Sequence, residues 1–129
     1  MSPKTEKGIV AVDLFCGIGG LTKGLTKAGI PVIKGYDIDS DLKITYEKNN
    51  PDTKFYSEDV RNLSKKELLK GLSLKKNYLL LAGCAPCQPF SKINKKSRKN
   101  DGRVDLILEL ARIIRQTTPD FLFIENVPG

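Results

Sequence analysis

Short apolar runs alternate along this chain with segments whose apolar residues recur every three or four positions. Residues 9–14 form a continuous apolar run that ends in Asp13-Leu14 and reads as a buried strand. Gly17, Gly19 and Gly20 make a turn, after which Leu21, Leu25 and Ala28 sit at helical spacing until Gly29 and Pro31 close the helix. Residues 32–36 read as a second strand, ending at Asp37, and Ser40 reads as the cap of a helix that carries Leu42 and Tyr46 and stops before Pro51. A short third strand covers residues 54–56, with Asp59 just beyond. Ser64-Lys65-Lys66-Glu67 has the form of a capping box, opening a helix that bears Leu68, Leu69 and Leu72. Residues 78–82 are a fourth strand, 83–91 a turn-rich segment with two prolines, and a polar lysine-rich loop runs to about Gly102. Residues 104–116 read as an amphipathic helix with Leu106, Leu110, Ile113 and Ile114 on one side, and Phe121–Ile124 as a fifth strand.

Strands that are apolar without interruption, separated by helices, imply a parallel sheet covered on both faces. The expected fold class is therefore α/β, doubly wound and mainly parallel. The 129 residues make one domain. Ligands in such folds bind outside the carboxyl ends of the strands. Asp13, Asp37, Asp59, Cys87 and Glu125 all fall at such ends.

Composition narrows the field. A formal net charge of +7 favours a polyanionic partner such as nucleic acid. Lys92, Lys95, Lys96, Arg98, Lys99 and Arg103 cluster in the loop after residue 91, as a solvated loop or as a phosphate-contacting one. No apolar run is long enough to span a membrane, and the polar start lacks a signal-peptide apolar region, so an intracellular, cytoplasmic protein without a membrane partner is expected. Three cysteines and no histidine argue against both a disulfide framework and a structural zinc site, although Cys84 and Cys87 form a C-x-x-C. Cys16 and Cys84 read as small buried apolar residues.

The first turn suggests a nucleoside ligand. Gly17, Gly19 and Gly20 permit a sharp strand-to-helix turn and close approach of backbone to a ligand. Asp37, twenty positions after Gly17, is spaced to accept hydrogen bonds from ribose hydroxyls. Thr22 breaks the dinucleotide fingerprint, which favours adenosine without pyrophosphate. Asp59 reads equally as an acceptor for an adenine amino group or as a turn-capping residue.

Gly83-Cys84-Ala85-Pro86-Cys87-Gln88-Pro89-Phe90-Ser91 resembles the Pro-Cys-Gln loop of DNA cytosine-C5 methyltransferases. Asp13 to Gly20 is similar to that family's cofactor loop, and Glu125-Asn126-Val127 to its Glu-Asn-Val motif, in the same order. The resemblance covers nearly the whole chain. It implies a Rossmann-like fold that binds S-adenosyl-L-methionine through Asp13, Phe15, Gly17, Gly19, Gly20, Asp37, Ile38, Asp59, Val60 and Leu106. For Phe15, Val60 and Leu106, core packing would look the same. It implies Cys87 as a nucleophile that adds to cytosine C6, and Glu125 as the acid at the N3 edge. Pro86, Gln88, Ser91, Asn126 and Val127 would contact or frame a base flipped out of DNA. No metal is implied.

The family pattern continues beyond Glu-Asn-Val with further strands, an arginine motif and a target-recognition region. None of these follows here. Residues 1–129 are thus expected to be a partial catalytic domain, truncated after the fifth strand and inactive alone. Its last strand would be completed by a C-terminal polypeptide or a homo-oligomer. One branch of the family methylates tRNA, and a non-catalytic cofactor- or nucleic-acid-binding fragment is a third possibility.

Overall fold

The computed structural model describes residues 5–85 and 102–125, with backbone alone for 102–104. Five strands, β1 (Gly8–Leu14), β2 (Val32–Asp37), β3 (Lys54–Ser57), β4 (Asn77–Gly83) and β5 (Phe121–Ile124), form one sheet in the order β3-β2-β1-β4-β5. Every pairing is parallel. Helices α1 (Gly20–Lys27), α2 (Lys43–Asn49), α3 (Lys65–Leu69) and α4 (Gly102–Thr117) provide the crossovers. The doubly wound α/β expectation holds.

Alternation along the strands splits the core in two. Val10, Val12 and Leu14 of β1, with Leu79 and Leu81 of β4, pack against Leu68 of α3 and Leu110 and Ile113 of α4. Ala11, Val32, Leu80 and Ala82 meet Leu25 of α1 on the other face. Cys16, Phe55 and Tyr46 of α2 form a smaller cluster on that side. Burying side chains of this size stabilises by roughly 1.5–3 kcal/mol each before ordering costs are subtracted. Lys34 is buried, and its ammonium is held by the carbonyls of Glu67 and Leu68 at the end of α3.

Two local expectations are corrected. Asp39, not Ser40, caps the segment before α2. Its carboxylate accepts from Asp41 N at 3.0 Å, and a single 3-10 turn (Ser40–Leu42) precedes the helix. The Ser64/Glu67 capping box is present, but α3 stops at Leu69. Leu72 is buried from the loop beyond it, where Gly71 takes φ 81°. Among the described residues, no helix is long and apolar enough to cross a membrane.

The two sheet edges differ. β3 is four residues long and begins with Lys54, features that discourage pairing with another chain. β5 is also short, but Phe121, Leu122, Phe123 and Ile124 are each 42–49% exposed, so both of its faces are open to solvent. Asp120 anchors its start by accepting from Leu79 N at 2.8 Å. A parallel strand apolar on both faces belongs in a sheet interior. The chain should therefore self-associate in light scattering over a dilution series, and Phe123→Lys should shift the distribution toward monomer. Monomers of the parent chain at every concentration would contradict this.

Candidate active site

The carboxyl ends of β1 to β4 converge because the strands are parallel. The chain leaves β1 through Phe15, which takes a left-handed φ of 55°. Such a conformation in a non-glycine residue is held against its own preference by the surroundings, and it often marks a functional loop. Gly17 and Gly19 follow at φ 56° and 91°. Cys16 N donates to Tyr36 O at 3.0 Å and Gly19 N to Cys16 O at 2.9 Å. Gly17 N donates to Asp37 Oδ2 at 3.0 Å, so the twenty-residue interval read in the sequence is a direct contact between the glycine turn and the end of β2. Asp37 Oδ1 accepts from Asp39 N at 3.0 Å. Each carboxylate oxygen keeps a further lone pair for a ligand hydroxyl.

Phe15, Asp37, Ile38, Asp59, Val60 and Leu106 line one cavity of about 300 Å³. Glu58, Arg61 and Cys84 complete its wall, three residues that the sequence did not mark as site residues. Only their neighbours gave a signal, since each lies next to or near a residue at a strand end. Cys84, expected to be buried, is half-buried at this cavity. Asp59 serves as the turn cap as well: Oδ1 accepts from Arg61 N at 3.0 Å, and the Arg61 guanidinium lies 3.7 Å from Oδ2. Arg112 of α4 donates to the carbonyls of Val60 and Leu63, at 2.9 and 3.2 Å, and so fixes the turn that presents Val60. A larger cleft of about 620 Å³ lies elsewhere, among Lys34, Lys54, Lys70, Tyr36 and Tyr56. Size alone would favour that cleft, but the smaller cavity holds the strand-end carboxylates, apolar walls and strained turn that suit a nucleoside.

Asp13, Gly17, Gly19 and Gly20 do not line the smaller cavity. Gly19 and Gly20 border a separate surface hollow with Lys23 and Lys48. Asp13 is 1% exposed on the face covered by α1 and α2, where its Oδ2 accepts from Thr22 Oγ1 at 2.7 Å. Burial raises its carboxyl to about 6, partly offset by the Thr22 hydrogen bonds, with Glu125 and Asp37 adding repulsion. Burial and the nearby carboxylates of Asp13 and Asp37 push the Cys16 thiol up, which makes Cys16 unsuited to act as a thiolate. Glu125 follows β5, and its backbone N donates to Gly83 O at 3.1 Å, placing it at the end of β4 near Asp13. Pro86, Cys87, Gln88, Ser91, Asn126 and Val127 lie outside the described residues.

This is the arrangement of an α/β protein with a nucleoside-sized site at the sheet's carboxyl edge. The profile of C-5 cytosine-specific DNA methylases matches residues 9–129, and the chain belongs to that family. It is 43% identical over 117 residues to the type II methylase M.HgiDII of Herpetosiphon aurantiacus, a match covering 91% of this chain and 32% of that protein. It is 34% identical to the type II methyltransferase M1.HphI of Haemophilus parahaemolyticus, covering 90% and 32%. Among solved structures, a variant of Spodoptera frugiperda DNMT2 superposes with a TM-score of 0.67 at 26% identity, covering 95% of this chain and 36% of that one. An E. coli protein described as a prophage-encoded DNA modification methyltransferase superposes with a TM-score of 0.76 at 32% identity, covering 95% and 33%. The chain thus spans about a third of the length of the curated relatives it matches.

Asp13 makes a testable contribution to stability. An acid raised by folding from 3.8 to about 6 stabilises the fold fully below about pH 4, and that contribution is lost as pH rises through 6. The loss is on the order of 3 kcal/mol. Asp13→Asn keeps an acceptor for Thr22 without the charge. In urea unfolding, its stability relative to the parent should rise by an amount of that order between pH 4 and pH 7.5. An unchanged difference would show that the Asp13 carboxyl is not desolvated.

Proposed function

We propose that this chain is the cofactor-binding and nucleophile-bearing part of an S-adenosyl-L-methionine-dependent DNA cytosine-C5 methyltransferase. The single observation that carries the reading is the gathering of Phe15, Asp37, Ile38, Asp59, Val60 and Leu106, six of the residues implied by the family resemblance, around one cavity. The residues there fit the cofactor: apolar side chains line a cavity that could take a base, and two carboxylates retain acceptor capacity at the strand ends. The cofactor supplies the methyl group on a sulfonium.

Asp37 holds the ribose hydroxyls and Asp59 the adenine amino group. Phe15, Ile38, Val60 and Leu106 enclose the base, while the loop at Gly17, Gly19 and Gly20, set on Asp13, approaches the rest of the molecule. Cytosine C5 is too weak a nucleophile to accept a methyl group directly. The Cys87 thiolate adds to C6 and makes C5 electron-rich. Glu125 donates a proton or hydrogen bond at N3 to stabilise the adduct. After transfer the C5 proton leaves to a water molecule, its electron pair re-forms the C5=C6 bond, and the C6–S bond breaks to release the thiolate. Pro86, Gln88, Ser91, Asn126 and Val127 frame the flipped base, and the lysine-rich loop meets DNA phosphates. The names of the type II relatives support DNA as the substrate class.

Activity draws on further segments packed against β5, from this protein or a second one. The open faces of that strand and the threefold greater length of the relatives both support this. The segment laid there would bring the target-recognition region.

Calorimetric titration with S-adenosylhomocysteine tests the cofactor assignment. Asp37→Ala should weaken binding at least about tenfold, as loss of a charge-assisted hydrogen-bond pair implies. Undiminished binding would remove Asp37 from the site. In the complete assembly, DNA carrying 5-fluorocytosine should be trapped covalently on Cys87, and Cys87→Ser should abolish both trapping and methyl transfer. An adduct on Cys84, or methylation of tRNA in place of DNA, would contradict the reading.

A further inference from the structure

We propose that Tyr46 is a positioning residue for the cofactor loop, acting from α2 through a buried hydrogen-bond chain, Tyr46–Thr22–Asp13, beneath the glycine turn. The inference deepens the cofactor reading above and rests on it.

Tyr46 is fully buried, and the backbone around it leaves no slack. A Cβ at Gly19 would lie 2.9 Å from its ring carbons, and a Cβ at Gly35 would lie within 2.5 Å of its Cζ and hydroxyl oxygen. The ring therefore fills the space under the left-handed Gly19, and β2 carries a glycine where the phenol passes. The hydroxyl lies 2.7 Å from Thr22 Oγ1, which in turn donates to Asp13 Oδ2 at 2.7 Å. Thr22 has one hydroxyl proton and gives it to the carboxylate, so Tyr46 is the donor to Thr22. Burial pushes the phenol up, which keeps that proton in place. One helical turn on, Asn50 Nδ2 donates to Tyr46 O at 3.1 Å and reaches Gly19 O at 3.5 Å, while its side-chain oxygen is buried with no hydrogen-bond partner among the described residues.

The chain thus joins three elements at the point where the loop turns: the end of β1, the first turn of α1 and the middle of α2. A buried polar network is costly unless its hydrogen bonds are satisfied, and a satisfied one rigidifies the backbone around it. Here the fixed geometry is that of Gly17 to Gly20, which also leans on Asp37 through Gly17 N. Nothing in the chain Tyr46–Thr22–Asp13 lines the cavity, so its effect on a ligand must pass through the loop.

The test combines a double-mutant cycle on ligand affinity with amide hydrogen exchange. Tyr46→Phe keeps the ring and removes the hydroxyl; Thr22→Val keeps the shape and cuts the same chain from the other side. Each should weaken S-adenosylhomocysteine binding about three- to tenfold, the size of one lost hydrogen bond. The double variant should lose little more than either single one. Exchange at the Gly19 and Lys23 amides should quicken, while β1 and β4 amides stay protected. A purely structural role would lower the unfolding midpoint and leave the affinity of the folded protein unchanged, which would overturn the proposal, as would additive losses in the double variant. Should Tyr46→Phe fail to fold, an unaltered affinity in Thr22→Val is sufficient to reject it. Absence of binding by the parent chain would instead sink the cofactor reading on which the proposal stands.

Discussion

With β1 hydrogen-bonded in parallel to β2 on one side and β4 on the other, Asp13 stands level with Gly35 and Ala82, and Leu14 with Tyr36 and Gly83. That register brings three strands to their carboxyl ends at one height. The loops that follow must then share a small space, and the Gly17–Asp37 hydrogen bond, the Phe15 conformation and the cavity of strand-end residues all follow from it. A one-residue slip of β1 against its neighbours would carry Asp13 to the opposite face and separate the glycine turn from Asp37.

The strands and the parallel sheet were legible because an uninterrupted apolar run between helices has few other solutions. The strand-end carboxylates were legible for the same reason, since sheet topology assigns them to one edge. What the sequence hid was three-dimensional closure. Tyr46 reads there as one more apolar-face residue of a helix, and its role emerges only when Gly19 and Gly35 are found to leave room for it. Asp13 and Asp37 look alike as residues at strand ends, yet alternation buries the first and places the second on the cavity wall. Asp59 was open between turn cap and ligand acceptor. It caps the turn with one oxygen and still lines the cavity. Ser40 lost the helix cap to Asp39 because a single 3-10 turn was inserted ahead of α2, a shift that spacing alone does not reveal.

The buried Asp13 carboxyl and the open β5 are both unfavourable for this chain in isolation, and both sit at or lead into the carboxyl edge of the sheet. A buried carboxylate costs stability when it ionises, and a strand apolar on both faces invites association. Natural sequences retain such features where function requires them. Asp13 anchors the chain of hydrogen bonds under the glycine turn, and β5 delivers Glu125 to the end of β4.

In the proposed reading the cofactor occupies the small cavity at the strand ends and not the roomier lysine- and tyrosine-lined cleft on the sheet face. Backbone amide shifts followed by NMR during titration with S-adenosylhomocysteine decide between them. Binding at the strand ends gives saturable perturbations at Gly17, Asp37, Ile38, Val60 and Leu106. Perturbations confined to Lys34, Lys54, Tyr56 and Lys70 would contradict it.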